Sequence, residues 1–553
     1  MRLSKILFIA ILFFLLSPDA GARKNPKASA TEQKGYALLD ASLLSAHLHF
    51  LASDALEGRE TGLHGQKIAA EYIASNFKRL GLKALGKDGS YFQEFSVCQS
   101  CVGIENKILV YSQTNDAQSA EPTAVWDGFL QDFYFFPRRF SASDTLSGEV
   151  VFLGYGIHDE SEYDYSDYKN MDVEGKIVLV MHGEPQRNDS SSIFNGVNPT
   201  RWSRNSEKRA AAIDAGVKAL LIVSDQPPMP PVKEQAEAFA SYITQSSVNL
   251  ATAAPDDEFL ASPLPPSIYI STEIANSLLV ASGKKLDELQ AEIDRTGKPL
   301  SFQIENTRAN IVIDIQKEIL KTENVCAMIE GCEEKDEAVV VCGHYDHLGI
   351  DRRGNIYNGA DDNGSGSAAV LSLAEAFARN GIKPRRSIIF MLFSGEEKGL
   401  LGSKHFVSKP MFPLENIVAD VNLDMVGRSD RKHEASGETD YVYAIGSDKI
   451  SLEYDRLLRE ANQASVNLEL DYTFNREDDP NRFYYRSDQY SFAKHGIPSL
   501  FLFTGLHDDY HQPTDTIEKI DFEKLTKISR LAFSLLWRVA NLEHRLEKNV
   551  DVP

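Results

Sequence analysis

The stretch EAVVVCGHYDH, residues 337–347, decides the fold class of this chain. Six apolar or small residues from Ala338 to Gly343 form a strand apolar on both faces, as in a sheet covered by helices on each side. The run ends abruptly in His344, Tyr345, Asp346 and His347. Sites on open α/β sheets are built where strands end. Residues two apart on a strand share a face, so Asp346 is expected beside His344, with His347 pointing away. Taken alone, His344 also reads as a hydrogen-bonded core histidine.

Working outward, the same pattern recurs. IIFMLFS (388–394) runs into Gly395-Glu396-Glu397-Lys398-Gly399, and NLDMVG (422–427) embeds Asp424 in an apolar strand. SLFLFTGL (499–506) precedes DDYHQPTDT (508–516), and NGADDNGSG (358–366) places Asp361 and Asp362 before the apolar run AAVLSLAEAF. Asn363 or Ser365 could cap that helix, which accounts for polar residues there but not for adjacent carboxylates. Burying such acids without partners is costly, so clusters closing several hydrophobic strands point to a common site.

Strands alternating with helices imply an α/β layered sheet. LLSAHLHFLA (43–52) and GQKIAAEYIASNFKRLGL (65–82) have helical spacing, the second ending at Gly81. Residues 116–300 differ in texture. GEVVFLGYG, GKIVLVMHG and LLIVS read as strands, EKRAAAIDAGVKA as a helix and QPPMPPV as a turn-rich break, which together suggest an inserted β-rich domain. The expected organisation is a signal peptide at 1–22, an N-terminal part of the main domain at 23–115, the insert at 116–300 and the remainder at 301–553.

The chain has 553 residues and a formal net charge of −22, which favours solubility and argues against nucleic-acid partners. Its start, with Arg2 and Lys5, an apolar run from Ile6 to Leu16, Pro18 and Ala20-Gly21-Ala22, has the layout of a cleavable secretory signal. The run is too short to span a bilayer, no later run reaches that length, and a secreted or periplasmic location is expected. Five cysteines suit an oxidising compartment but cannot all pair. Cys98 and Cys101 in VCQSC could close a small loop, Cys326 and Cys332 could pair, and Cys342 reads as a buried thiol.

GHYDHLG, NGADDNGSG, SGEEKGLLGS, NLDMVG and DDYHQPTDT, in this order and spacing, resemble the co-catalytic zinc aminopeptidases of the M28 peptidase family. The resemblance covers residues 320–545 and extends to LASDALEGRETGLHGQKIAAEYI (51–73). VEGKIVLVMHG and KRAAAIDAGVKALLIVSD are similar, more loosely, to the protease-associated domain inserted in many members. The resemblance implies an α/β fold with a mixed central sheet flanked by helices, peptide substrates and two zinc ions. It implies that His344, Asp361 and Asp424 hold one zinc and that Asp361, Glu397 and His511 hold the other. It further implies that Asp346 orients His344, that Glu396 is the general base and that Tyr510 stabilises an oxyanion. Packing against the site wall is an equal reading of Tyr510. A cis peptide is expected between Asp361 and Asp362, with Asp362 holding the turn. Three carboxylates and one hydroxide would offset two divalent cations, leaving a cluster that can be buried.

Carboxypeptidase action is the alternative activity, and a receptor-like binding protein without catalysis is an alternative of another class. Arg482 and Arg486, in DDPNRFYYRSDQY (478–490), are candidates for lining a specificity pocket; Asp488 matches a recurring family segment without an assigned role.

Overall fold

The computed structural model describes residues 27–112, 121–137, 143–244, 247–251, 265–351 and 353–549. The expected signal peptide lies outside the described residues. Contacts divide the described residues into two compact units, those up to 94 together with those from 323 onward, and those between 95 and 322.

In the first unit, four strands run parallel in the spatial order Arg386–Phe393, Glu334–His344, Ile417–Leu423 and Ser499–Phe503. Residues 325–329 pair antiparallel with Arg386–Phe393 on one side, and Tyr441–Ile445 pairs antiparallel with Ser499–Phe503 on the other. The sheet is therefore mixed, with a parallel centre. Its central strands are buried on both faces. Val339, Val341, Ile388, Phe390 and Leu392 join one apolar cluster; Val340, Cys342, Ile389, Met391 and Phe393 join another. Alternation along each strand assigns neighbours to opposite clusters, and each buried aliphatic side chain contributes about 1.5–3 kcal/mol.

One cluster is covered by the helices Ala41–Leu51, His64–Arg79, Gly366–Asn380 and Phe522–Ala540, through Leu48, Phe77, Phe377 and Phe533 among others. The other is covered partly by Leu401–Ser408 and Gln489–Ala493, through Phe406 and Phe492. Gly366 permits the close seat of helix Gly366–Asn380, since a Cβ there would stand 2.1 Å from the Leu423 carbonyl oxygen. Parallel strands linked by such crossovers put their carboxyl ends at one edge. His344, the turn after Phe393, Asp424 and the segment after Phe503 thus emerge together.

The helix Ala41–Leu51 carries a group with a pH signature. His47 Nδ1 lies 3.0 Å from the Tyr72 hydroxyl, and its Nε2 has no partner among the described residues. Burial lowers its pKa from 6.5 to about 4, with a smaller opposing pull from Glu375. As pH falls, the unfolded chain takes up this proton first, so the contribution is full above about 6.5 and is lost as pH drops to about 4. A shift of this size corresponds to about 3 kcal/mol. Urea melts at pH 7.5 and 4.5 should show the parent losing more stability than His47→Gln by roughly that amount; parallel losses would refute it.

The second unit contains an eight-stranded sheet in the order Ala124–Trp126, Lys107–Ser112, Ser301–Ile313, Asp144–Leu153, Ile177–Met181, Ala219–Val223, Ser267–Ile270, Phe133–Tyr134. Its core includes Val150, Phe152, Leu179, Leu221 and Ile311. The unit is longer than the 116–300 expected from composition, because Lys107–Ser112 and Ser301–Ile313 pair with each other. Composition located the β-rich texture but not the strands that close it.

The described cysteines are all free thiols. Cys98 and Cys101 lie three apart in the single strand Phe92–Val102, which sends their side chains to opposite faces. Cys326 is buried within the sheet while Cys332 is exposed. Cys342 is buried as expected, its Sγ 3.2 Å from Asp420 Oδ1.

Candidate metal centre

His344 ends its strand with Nε2 3.4 Å from Asp424 Oδ1 and 3.4 Å from Asp362 Oδ1. The other oxygen of Asp362, Oδ2, is 3.1 Å from His511 Nε2, which in turn is 3.2 Å from Glu397 Oε2. Two groups of donors therefore share one carboxylate. Donors about 2.1 Å from a tetrahedral ion stand roughly 3.3–3.5 Å apart, so these spacings fit one cation on each side of Asp362. The donors are imidazole nitrogens and carboxylate oxygens without thiolate, a set that suits zinc.

The shared residue is Asp362, one position beyond the expected bridge. Asp361 turns away. Its Oδ1 accepts from Gly427 N at 2.7 Å, and its Oδ2 faces His507 Nε2 at 3.2 Å. Gly427 is needed there, because a Cβ would stand 2.9 Å from Asp361 Oδ1. The cis peptide likewise lies at Asp362–Asn363, not between the two aspartates. Sequence spacing cannot say which of two adjacent side chains enters a site when the backbone between them is irregular.

Asp515 holds this turn. Its carboxylate accepts from Asp361 N at 3.0 and 3.1 Å and from Asp362 N at 3.1 Å. Burial, reinforced by Asp361, raises its pKa to about 6. Arg59, also buried, donates to the carbonyls of Tyr345, Asn358 and Gly359 at 2.7, 2.7 and 3.0 Å and to that of Leu51. Neither residue was singled out as a site residue from sequence, although both lie in the quoted segments DDYHQPTDT and LASDALEGRETGLHGQKIAAEYI.

Asp346 is buried beside His344, but the contact differs from the expected one. His344 Nδ1 lies 3.1 Å from the Asp346 carbonyl oxygen and 3.7 Å from its carboxylate. The carboxylate instead accepts from Thr61 Oγ1 at 2.7 Å and from Glu396 N at 3.2 Å. It orders the turn that carries Glu396 and Glu397. His347 does not point away: its Nδ1 lies 2.7 Å from Glu397 Oε1. This leaves Glu397 Oε2 facing His511, and His347, Asp362 and Glu397 form one group of potential metal ligands. The alternation rule failed because the strand ends at His344.

Glu396 projects towards the same centre, Oε2 3.7 Å from His344 Nε2. It follows Gly395, whose φ of +79° breaks the strand direction and lets adjacent glutamates diverge. Burial and the neighbouring carboxylates Asp424 and Glu397 push its pKa well above the usual range. Burial opposes ionisation of Asp362 too, but His344 and His511 hold its carboxyl well below the ordinary value. Burial would lower His511, yet Asp362 and Glu397 push it up to about 10. Such mutual shifts mark a crowded acidic cluster that cations would relieve.

Asp424 is further fixed by Ser487 Oγ, which donates to its Oδ2 at 2.6 Å. Tyr510 stacks on His511, ring centroids 3.8 Å apart. An open cleft leads to the centre, lined by the carboxylates of Asp362, Glu396, Glu397 and Asp424 and by Phe483, Phe501, Phe503 and Leu506 among its apolar walls. Asp488 is buried, and burial, partly offset by His344 and the Ser403 hydroxyl, raises its pKa to about 7.

Residues 324–536 match the sequence profile of Peptidase family M28. A probable zinc metalloprotease of Pyrenophora teres f. teres is 30% identical over 241 residues, covering 39% of this chain and 48% of that protein. A probable leucine aminopeptidase of Arthroderma benhamiae is 29% identical over 225 residues, covering 39% of this chain and 57% of that protein. The chain thus spans about half the length of these relatives. The fold is similar to that of an aminopeptidase from Aneurinibacillus sp. strain AM-1, with TM-score 0.51 and 19% identity over 94% of this chain and 99% of that one. The similarity to Peptidase family M28 thus covers residues 324–536, the part of the chain that carries the candidate metal centre.

Proposed function

We propose that this protein is a two-zinc aminopeptidase that releases N-terminal residues from peptides. The carrying observation is the pair of donor groups joined by Asp362, His344 and Asp424 on one side and Glu397 and His511 on the other. Asp362, His344, Asp424, Glu397 and His511 would hold two cations, which would supply Lewis acidity towards a carbonyl and a more acidic water.

The protein's own residues supply the remaining steps. Glu396 Oε2 accepts the proton of the attacking water and returns it to the leaving amine. Its neighbours Asp424 and Glu397 raise its affinity for that proton. The Asp346 carboxylate, accepting from Glu396 N, fixes the base relative to His344. Tyr510 offers its hydroxyl to the developing oxyanion from the cleft wall. The acidic lining attracts a free α-ammonium group, and the apolar wall of Phe483, Phe501, Phe503 and Leu506 accommodates an aliphatic or aromatic side chain. The names of the relatives, zinc metalloprotease and leucine aminopeptidase, support this reading.

The second unit is read as a protease-associated domain, and residues 1–22 as a secretion signal. Among the described residues, no helix is long and apolar enough to cross a membrane.

A side-by-side assay tests the activity. The zinc-loaded chain should hydrolyse a leucine anilide and leave an N-acetylated dipeptide intact. Cleavage of the blocked dipeptide with no action on the anilide would replace this reading with carboxypeptidase action.

A further inference from the structure

We infer that Arg486 selects substrates carrying a carboxylate close to the scissile bond. This deepens the peptidase reading and rests on it for its catalytic consequence.

Arg486 lines the cleft that holds the metal-ligand carboxylates and Tyr510. It is exposed, and no ion pair engages it among the described residues. Arg482, four residues earlier, stacks on the ring of Tyr485 and likewise has no ion pair among the described residues, whereas two other arginines are paired. Arg428 is 3.3 Å from Asp509, and Arg431 is paired with Asp508. In a chain with 80 acidic and 58 basic residues, a guanidinium at a cleft wall without a carboxylate partner is an unused charge.

Its placement is prepared on both sides. Phe483 lies beneath the guanidinium, 5.0 Å from ring centroid to Cζ. Stacking occupies the guanidinium face and leaves its N–H edge available for in-plane bonds to a carboxylate. The next residue, Ser487, is anchored to Asp424 Oδ2 at 2.6 Å and accepts from Asn422 Nδ2 at 2.7 Å. Two residues before Arg486, the Tyr484 carbonyl accepts from Gln489 Nε2 at 2.9 Å. The backbone bearing Arg486 is therefore tied to the strand end that carries a metal ligand.

Among the described residues, the guanidinium makes one polar contact, a long one: Nη2 to the Tyr510 hydroxyl at 3.5 Å. That contact places the charge beside the hydroxyl proposed to face the reacting carbonyl. A carboxylate one residue from that carbonyl comes within reach. Two substrate features present this group: the free C-terminus of a dipeptide and the acidic side chain of a residue at the scissile bond.

The test compares kcat/KM for Leu-Ala with Leu-Ala amide, and for glutamyl anilide with glutaminyl anilide, using the zinc-loaded parent, Arg486→Gln and Arg486→Lys. The parent should favour the carboxylate member of at least one pair by roughly tenfold or more. Arg486→Gln should bring that ratio close to one, and Arg486→Lys should retain part of it. The pair that responds identifies the source of the carboxylate. Ratios unchanged by Arg486→Gln, or a parent with no preference in either pair, would overturn the assignment. If no substrate is turned over, the peptidase reading fails by itself. Calorimetric binding of Leu-Ala and its amide, and of glutamate and glutamine, to the same three zinc-loaded proteins then decides the arginine's role, with the same loss of preference expected and an unchanged preference overturning it. Melting temperatures of the variants report whether a changed ratio reflects misfolding.

Discussion

Glu396→Gln is expected to lower kcat by about 10²–10⁴-fold, the usual contribution of a positioned general base, while zinc content stays at the parent's level. The amide keeps the shape of the side chain and its place after Gly395 but cannot take a proton from water. Glu396 Oε2 stands 3.7 Å from His344 Nε2, the longest of the contacts from that nitrogen to the surrounding carboxylates. The proposed mechanism assigns this carboxylate to the reacting water, although it stands in one group of potential ligands with His344 and Asp424. Metal analysis alongside steady-state kinetics separates the alternatives. Turnover lost together with one equivalent of zinc would make Glu396 a ligand, and unaffected turnover would remove it from the mechanism.

Asp362→Asn and Asp361→Asn should behave differently, although the residues are adjacent and both are buried. Asp362 offers Oδ1 towards His344 and Oδ2 towards His511. An amide has only one oxygen and half of its polar edge becomes a donor, so it cannot serve both groups. Asp362→Asn should reduce bound zinc to one or fewer per chain and lower kcat/KM by several orders of magnitude. Asp361→Asn should keep the zinc. Its amide oxygen can still accept from Gly427 N, and the weakened contact with His507 should cost about 1–3 kcal/mol of stability. Equal zinc loss in the two variants would contradict a bridge by Asp362. Metal content by elemental analysis, with thermal melts of both proteins, supplies the comparison.

Much of the centre was legible because its donors follow hydrophobic strands or begin a helix. His344, Glu396, Glu397, Asp424 and His511 all come to one edge of the sheet, and an apolar run followed by an acid or histidine is visible in one dimension. The legible part ended where the backbone became irregular. Asp361 and Asp362 could not be told apart, because the turn Ala360–Ser365 follows neither strand nor regular helix periodicity. His347 faces Glu397 for a related reason: the strand ends at His344, so its alternation does not extend to residue 347. The contact of Asp346 also changed kind, its carbonyl serving His344 and its carboxylate serving the Glu396 backbone. Sequence identifies a residue type but not which of its polar atoms is used.

The sequence by itself determined an α/β sheet covered on both faces, since strands as apolar as AVVVCG and SIIFMLF need cover on each side. It also determined which strand ends carry metal-binding chemistry. The tertiary structure decided which aspartate stands between the donor groups, that His347 braces Glu397, and that Asp515 and Arg59 hold the central turn. Those outcomes depend on side-chain direction in irregular backbone and on contacts between residues far apart in the chain. Neither periodicity nor spacing encodes them, because both describe regular elements one at a time.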